Sequence, residues 1–132
     1  MVAYSFKSRF VMPIREGWKT QTIRAHRGRH ARPGEMIQLF TAMRTRYCER
    51  IVGDVRCTLV MPISINFGFF GEITRICTEG IPVRDLAGFA VRDGFVDAMD
   101  MAGFWAETHQ PGDRFEGVII EWAAPRAEAA AV

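Results

Sequence analysis

The sequence predicts an α+β fold, a small mixed or closed sheet flanked by two or three short helices. Three observations predict it. Short strand-like runs recur at residues 4–10, 36–41, 50–60, 69–78 and 115–122, those over 36–41 and 50–60 rich in Ile, Val, Leu, Phe and Thr and separated by a polar stretch. Between residues 83 and 109 the apolar spacing shifts from two towards 3.6, the mark of helix. Finally, 132 residues at 48% hydrophobic and 11% aromatic suit one core and leave no room for a second. A single domain over residues 1–122 is therefore expected, with a low-complexity tail over 123–132 read as disordered.

Taken in order, residues 4–10 alternate Tyr4, Phe6 and Ser8 against Ser5, Lys7 and Arg9, which reads as a first strand. Pro13 can open a single helical turn, Pro13-Ile14-Arg15-Glu16, which Gly17 ends in a left-handed cap. The chain re-enters as a strand over 19–24. Residues 25–34 hold no aliphatic side chain larger than alanine and no acid, so they form a positively charged loop. Residues 36–41 and 50–60 read as paired strands, and 69–78 as another, with Gly68 and Gly71 at bends or bulges. Leu86, Phe89 and Ala90 mark one short helix face; Ala98, Met101, Ala102 and Trp105 mark a longer one capped by Asp97, with Gly94 between the two. Pro111-Gly112-Asp113 turns the chain into a last strand over 115–122.

Composition excludes several classes. No run of 18 or more apolar residues occurs, and the first residues lack the apolar stretch of a signal peptide, so no membrane association and a cytoplasmic location are expected. Cys48, Cys57 and Cys77 are odd in number and match neither a CxxC pair nor a disulfide framework; reduced core thiols are expected. His26 and His30 are four apart, but Gly28 and Pro33 argue against a helix and no carboxylate or thiol completes a site, so no metal and no cofactor are expected. The net charge of +2 conceals an asymmetry: residues 1–60 carry 12 Lys/Arg against 4 Asp/Glu, residues 61–132 carry 5 against 11. Such a chain either presents a basic face to a phosphate backbone or pairs its two halves across the fold.

The densest chemistry lies in Gly17-Trp18-Lys19-Thr20-Gln21-Thr22-Ile23-Arg24. Thr22 is a possible nucleophile, Lys19 a group able to activate or orient its hydroxyl, and Arg24 an anion binder. The plain alternative is an exposed strand with Lys and Arg at its ends. Lys19 and Thr22 are three apart, so an ideal strand would send them to opposite faces, and cooperation requires a bulge or turn at Lys19. A free lysine is protonated at neutral pH, so use as a base also requires burial or neighbouring cations.

The ordered set Ile14-x-x-Gly17-x-Lys19-Thr20-x-Thr22-Ile23-Arg24, Pro33-Gly34-Glu35 before Met36-Ile37-Gln38-Leu39, Ala90-x-x-Asp93-Gly94-Phe95, and Phe115-Glu116-Gly117-Val118-Ile119-Ile120 resembles the ASCH domain of the PUA-like superfamily, across residues 4–122. The resemblance implies a PUA-like β-barrel of about five to six strands. In the branch of that family that removes acetyl groups from N4-acetylcytidine, the catalytic set is a lysine, a threonine and a glutamate. These fall on Lys19, Thr22 and Asp93. Aspartate is one methylene shorter, a departure from the pattern that sets the carboxylate back by roughly 1.5 Å. A carboxylate beside Lys19 also raises the lysine pKa, so Asp93 makes more sense as the acid that protonates the departing amine or polarises the amide. Its plain alternative is a turn or helix-terminal acid.

The resemblance thus implies hydrolysis of an N4-acylated cytidine, as modified nucleoside or within RNA. Arg24, Arg27, Arg29 and Arg32, with His26, form the expected nucleic-acid-binding stretch, since arginines match phosphate geometry. The alternative is a non-catalytic RNA-binding module, or an RNA-cleaving variant using His26 and His30, and a third reading is a basic surface that meets an acidic protein partner. Phe40, Tyr47, Phe67, Phe69 and Phe70 are candidates for stacking on a base. Oligomeric state leaves no signature in the sequence.

Overall fold

The computed structural model describes residues 1–125, so the expectation of a disordered tail lies, from residue 126 onward, outside the described residues. The fold is α+β, with a multi-stranded sheet and three helices. β1 (Val2–Phe6) runs into a 3-10 turn, Ser8–Phe10, and then α1 (Val11–Glu16). The first strand is therefore shorter than the alternation implies. Beyond Phe6 the side chains of Phe10 and Ile14 must reach the core from a helical turn, and both are buried.

β2 (Gln21–Arg24), β3 (Met36–Thr41), the two-residue β4 (Glu49–Arg50) and the 13-residue β5 (Val55–Phe67) follow. β5 extends well past the expected end at residue 60, because Ile63, Ile65 and Phe67 keep the period of two and bury one face. β6 (Ile73–Thr78) and β7 (Ile81–Pro82) precede α2 (Leu86–Arg92) and α3 (Ala98–Thr108), and β8 (Arg114–Trp122) closes the domain. β6 starts later than expected because Phe69 and Phe70 sit in the turn that Gly71 makes at φ 81, both exposed. Asp97 caps α3 as expected, accepting from the Asp100 backbone N–H at 2.8 Å.

β5 organises the sheet. Its start pairs antiparallel with β3, its middle and end pair with β8, and residues 63–67 also pair with β6. β1 lies parallel to β3, and β2 antiparallel to β8. No ladder joins β1 to β2 among the described residues, so the sheet remains open between them. Ile37, Leu39, Ile65, Ile76, Ile119 and Ile120 of the strands are buried in one core cluster with Met101 and Trp105 of α3. No helix among the described residues is long and apolar enough to cross a membrane. Of the three expected core thiols only Cys57 is buried; Cys48 is exposed, because it lies in the polar connection before β4, and Cys77 is half-buried.

Candidate active site

Local sequence solves the spacing problem between Lys19 and Thr22. Gly17 ends α1 with φ 86, and the N–H groups of Trp18 and Lys19 both return to the Pro13 carbonyl, at 3.2 and 3.1 Å. Lys19 therefore lies in a turn, and β2 begins only at Gln21. Thr22 and Arg24, two apart on the strand, then share a face. Asp93 arrives from the opposite side as the C-cap of α2, its N–H bound to the Phe89 carbonyl at 3.0 Å. Gly94 follows with φ 99, and a Cβ there would stand 2.7 Å from Lys19 Cδ and 2.8 Å from the Phe10 ring. Only glycine lets the α2–α3 turn approach Lys19 so closely.

These groups line one cavity of about 180 Å3, set where β1 and β2 fail to pair. Lys19 is 3% exposed and Asp93 4%. Lys19 Nζ donates to the backbone carbonyls of Gln21 at 2.7 Å and Asp93 at 2.5 Å, stands 3.9 Å from Asp93 Oδ1, and sits 4.7 Å from the centre of the Phe10 ring. The lysine and carboxylate thus form a charge contact without a hydrogen bond between them. Burial lowers the Lys19 pKa to about 8, against the opposing pull of Asp93 and with help from Arg24 and Arg9. Burial raises the Asp93 pKa to about 6, with Lys19 opposing. Gln21 Nε2 reaches Asp93 Oδ1 at 3.4 Å, and Gln21 Oε1 is buried without a partner among the described residues. A turned amide would let that oxygen accept from a protonated Asp93, so the pair can meet either protonation state.

Thr22 is buried, and its Oγ1 accepts from Arg24 Nε at 2.9 Å. No hydrogen bond joins Lys19 Nζ to Thr22 Oγ1 among the described residues, although both line the cavity. Arg24 also donates to the Ser5 carbonyl at 2.8 Å, a side-chain bridge from β2 to β1 across the open edge. Its guanidinium lies 4.8 Å from the Phe6 ring centre and 5.2 Å from that of Tyr4. Burial lowers its pKa to about 10.

The remaining members of the expected basic stretch do not converge on this cavity. His26, Arg27, Arg29 and Arg32 are exposed on the connection between β2 and β3. Arg29 pairs with Glu35 at 2.5 Å, and Arg27 Nε donates to the Arg29 carbonyl at 2.8 Å. Both ring nitrogens of His30 are occupied, Nδ1 by the Tyr4 hydroxyl and Nε2 by the Ala25 carbonyl, each at 2.9 Å, so this residue pins the loop to β1. His26 borders a separate depression beside Cys77. The aromatic candidates also lie elsewhere: Phe67 is in the core against Trp105, Phe40 lies beside Arg50, Tyr47 beside Arg46, and Phe69 and Phe70 stand on the far side of α3.

Sequence reasoning missed Lys7, Phe104 and His109, all of which line the cavity. His109 caps the C-terminus of α3 and stacks on Trp105 at 4.2 Å. The signal for it was available, since a residue four positions after Trp105 shares its helix face. Compared with known proteins, the chain matches no family model, no curated protein and no solved structure.

Proposed function

We propose that the protein is an ASCH-type hydrolase that cleaves the amide of an N4-acylated cytidine, free or within RNA, with Thr22, Lys19 and Asp93 as its catalytic set. One observation carries this reading: a buried lysine, a buried carboxylate and a hydroxyl, brought from a turn, a helix end and a strand, face one small cavity. Evolution rarely buries such a pair for stability, because desolvation offsets the attraction, whereas shifted pKa values serve acid–base chemistry.

A lysine with pKa about 8 is neutral in about one molecule in ten at pH 7, against about one in three thousand at its ordinary value of 10.5. In that form it can take the proton from Thr22 once the hydroxyl turns towards it, while the Arg24 guanidinium stabilises the developing alkoxide. Attack forms the bond from Thr22 Oγ to the acyl carbon. The C–N bond then breaks as the 4-amino nitrogen receives a proton from Asp93, whose raised pKa keeps part of the population protonated. Water cleaves the acyl-threonine ester, releasing the carboxylic acid and restoring Thr22. Aspartate in place of the glutamate implied by the resemblance suits a site in which α2 already delivers the carboxylate within 3.9 Å of Nζ.

The same proposal includes a PUA-like barrel left partly open. The Arg24 bridge to Ser5 stands in for the missing ladder between β1 and β2, and the cavity occupies the seam. The test is release of cytidine from N4-acetylcytidine by the purified protein beside Lys19→Ala and Thr22→Ala variants shown to be folded. Turnover by the parent and its loss in both variants is expected. No turnover over a panel of N4-acyl groups would sink the reading.

A further inference from the structure

We infer that Lys7, Arg24 and His109 form an anion subsite at the mouth of the cavity, so that the preferred ligand carries a phosphate beside its base. A cytidine nucleotide or a stretch of RNA is then bound in preference to the free nucleoside. This inference rests on the reading of the cavity as a nucleobase site and names the substrate class for it.

Charge within the cavity is unbalanced. Lys7, Lys19 and Arg24 line it against a single carboxylate, Asp93, which already faces Lys19. Arg24 is half-buried and Lys7 exposed, and no carboxylate lies within ion-pair distance of either among the described residues. The neighbouring Arg9 does not add to the excess, because Asp100 takes it at 2.7 Å. Two positive charges therefore face the cavity uncompensated, and a phosphate monoester carries about two negative charges at neutral pH. Arg24 is partly desolvated without a carboxylate, a cost that an anionic ligand relieves, and the exposed Lys7 adds a solvated charge at the rim.

His109 completes the mouth. The Thr108 hydroxyl donates its one proton to the Phe104 carbonyl at 2.6 Å, so its oxygen must accept from His109 Nδ1 at 2.7 Å. The neutral ring then carries its proton on Nδ1 and leaves Nε2 open, with no protein partner among the described residues. Burial, Arg24 and Lys7, in that order, hold the ring neutral by lowering its pKa. A phosphate between these groups reverses that electrostatic effect, and His109 takes up a proton on Nε2 to become a third cationic donor.

The experiment follows binding and histidine ring signals by NMR, using inorganic phosphate, cytidine, cytidine 5′-monophosphate and a short cytidine-containing RNA at low and high salt. The nucleotide is expected to bind about tenfold or more tighter than cytidine, with the gap closing as salt rises. The His109 titration is expected to move upward with phosphate or nucleotide and to stay in place with cytidine, while His30, with both nitrogens bonded, stays unchanged. Lys7→Ala and His109→Ala each narrow the preference for the nucleotide over cytidine. RNA binding tighter than the mononucleotide identifies a strand as the source of the phosphate; equal affinity identifies the nucleotide. Equal affinity for cytidine and its monophosphate, or an unmoved His109 titration, overturns the inference. None of these ligands carries an acyl group, so failure of the hydrolase reading shows in the turnover assay and leaves this result untouched.

Discussion

Two cationic regions of this chain are treated in opposite ways by the fold. Between β2 and β3, Arg27, Arg29 and Arg32 lie in solvent, Glu35 accepts from Arg29 and from the Arg32 backbone, and Arg27 closes on a neighbouring carbonyl. At the cavity Lys19 is buried and Arg24 half-buried, with one carboxylate, Asp93, facing Lys19. The loop has the greater density of charge and the cavity the greater perturbation. Solvated charges that satisfy one another locally contribute little in either direction, whereas desolvated charges persist at a cost that needs a reason. Density in the sequence marks where charge is cheap, and burial marks where it is put to use.

Removal of one buried partner should give the largest effect. Asp93→Ala leaves Lys19 desolvated beside Arg24 and should cost about 3 kcal/mol in urea unfolding at pH 7. The double variant Lys19→Met with Asp93→Asn should recover most of that loss, since no buried charge is stranded, while losing all turnover. Equal destabilisation by the single and double variants would show that the pair is a structural bond. Gly94→Ala should cost about 2 kcal/mol, from the left-handed backbone and from the contact its Cβ makes with Lys19 and Phe10. Its effect on turnover should exceed its effect on substrate affinity, because it moves Lys19 Cδ directly.

The pH dependence of stability sharpens the contrast further. Asp93 has a folded pKa of about 6 against 3.8 for the free group, so the native state binds protons more tightly and stability falls as pH rises from about 4 to 6. Lys19 has a folded pKa of about 8 against 10.5, so the unfolded state binds more protons and stability rises from about pH 8 to 10. The parent should therefore be least stable between pH 6 and 8 relative to the double variant, whose difference curve reports the pair. A flat difference across both windows would place neither group in a desolvated site. The smallest effect is expected in the loop: Arg27→Ala, Arg29→Ala and Arg32→Ala together should leave thermal stability and turnover of the nucleoside close to the parent, and a large loss of turnover would move the site to that loop.

Much of the fold was legible because its signals are local. The period of two over 36–41, the glycine cap after α1, the Asp97 cap and the 3.6 spacing over 98–108 each fix their own element. The length of β5 and the late start of β6 were not, since both depend on partners distant in sequence: β5 runs on because β8 and β6 flank it, and Phe69 and Phe70 stay out of β6 where the chain turns. Lys19, Thr22 and Asp93 could be picked out together by resemblance alone. Seventy-four positions separate Lys19 from Asp93, and no periodicity spans that gap. The basic stretch misled because residue type says nothing of depth: Arg24 turns inward over Phe6, and three positions on Arg27 faces solvent. His109 was hidden by its position at a helix end, where a cap and a site residue look alike.

The most direct measurement is the pKa of Lys19 itself, read from its side-chain ammonium resonance by NMR in the folded protein and assigned by comparison with Lys19→Met, Lys7 being the other lysine in the chain. A titration near 8, falling further in Asp93→Asn, is expected for a desolvated lysine held by that carboxylate. A titration near 10.5 that ignores Asp93 would contradict it and return the cavity to an ordinary surface cleft.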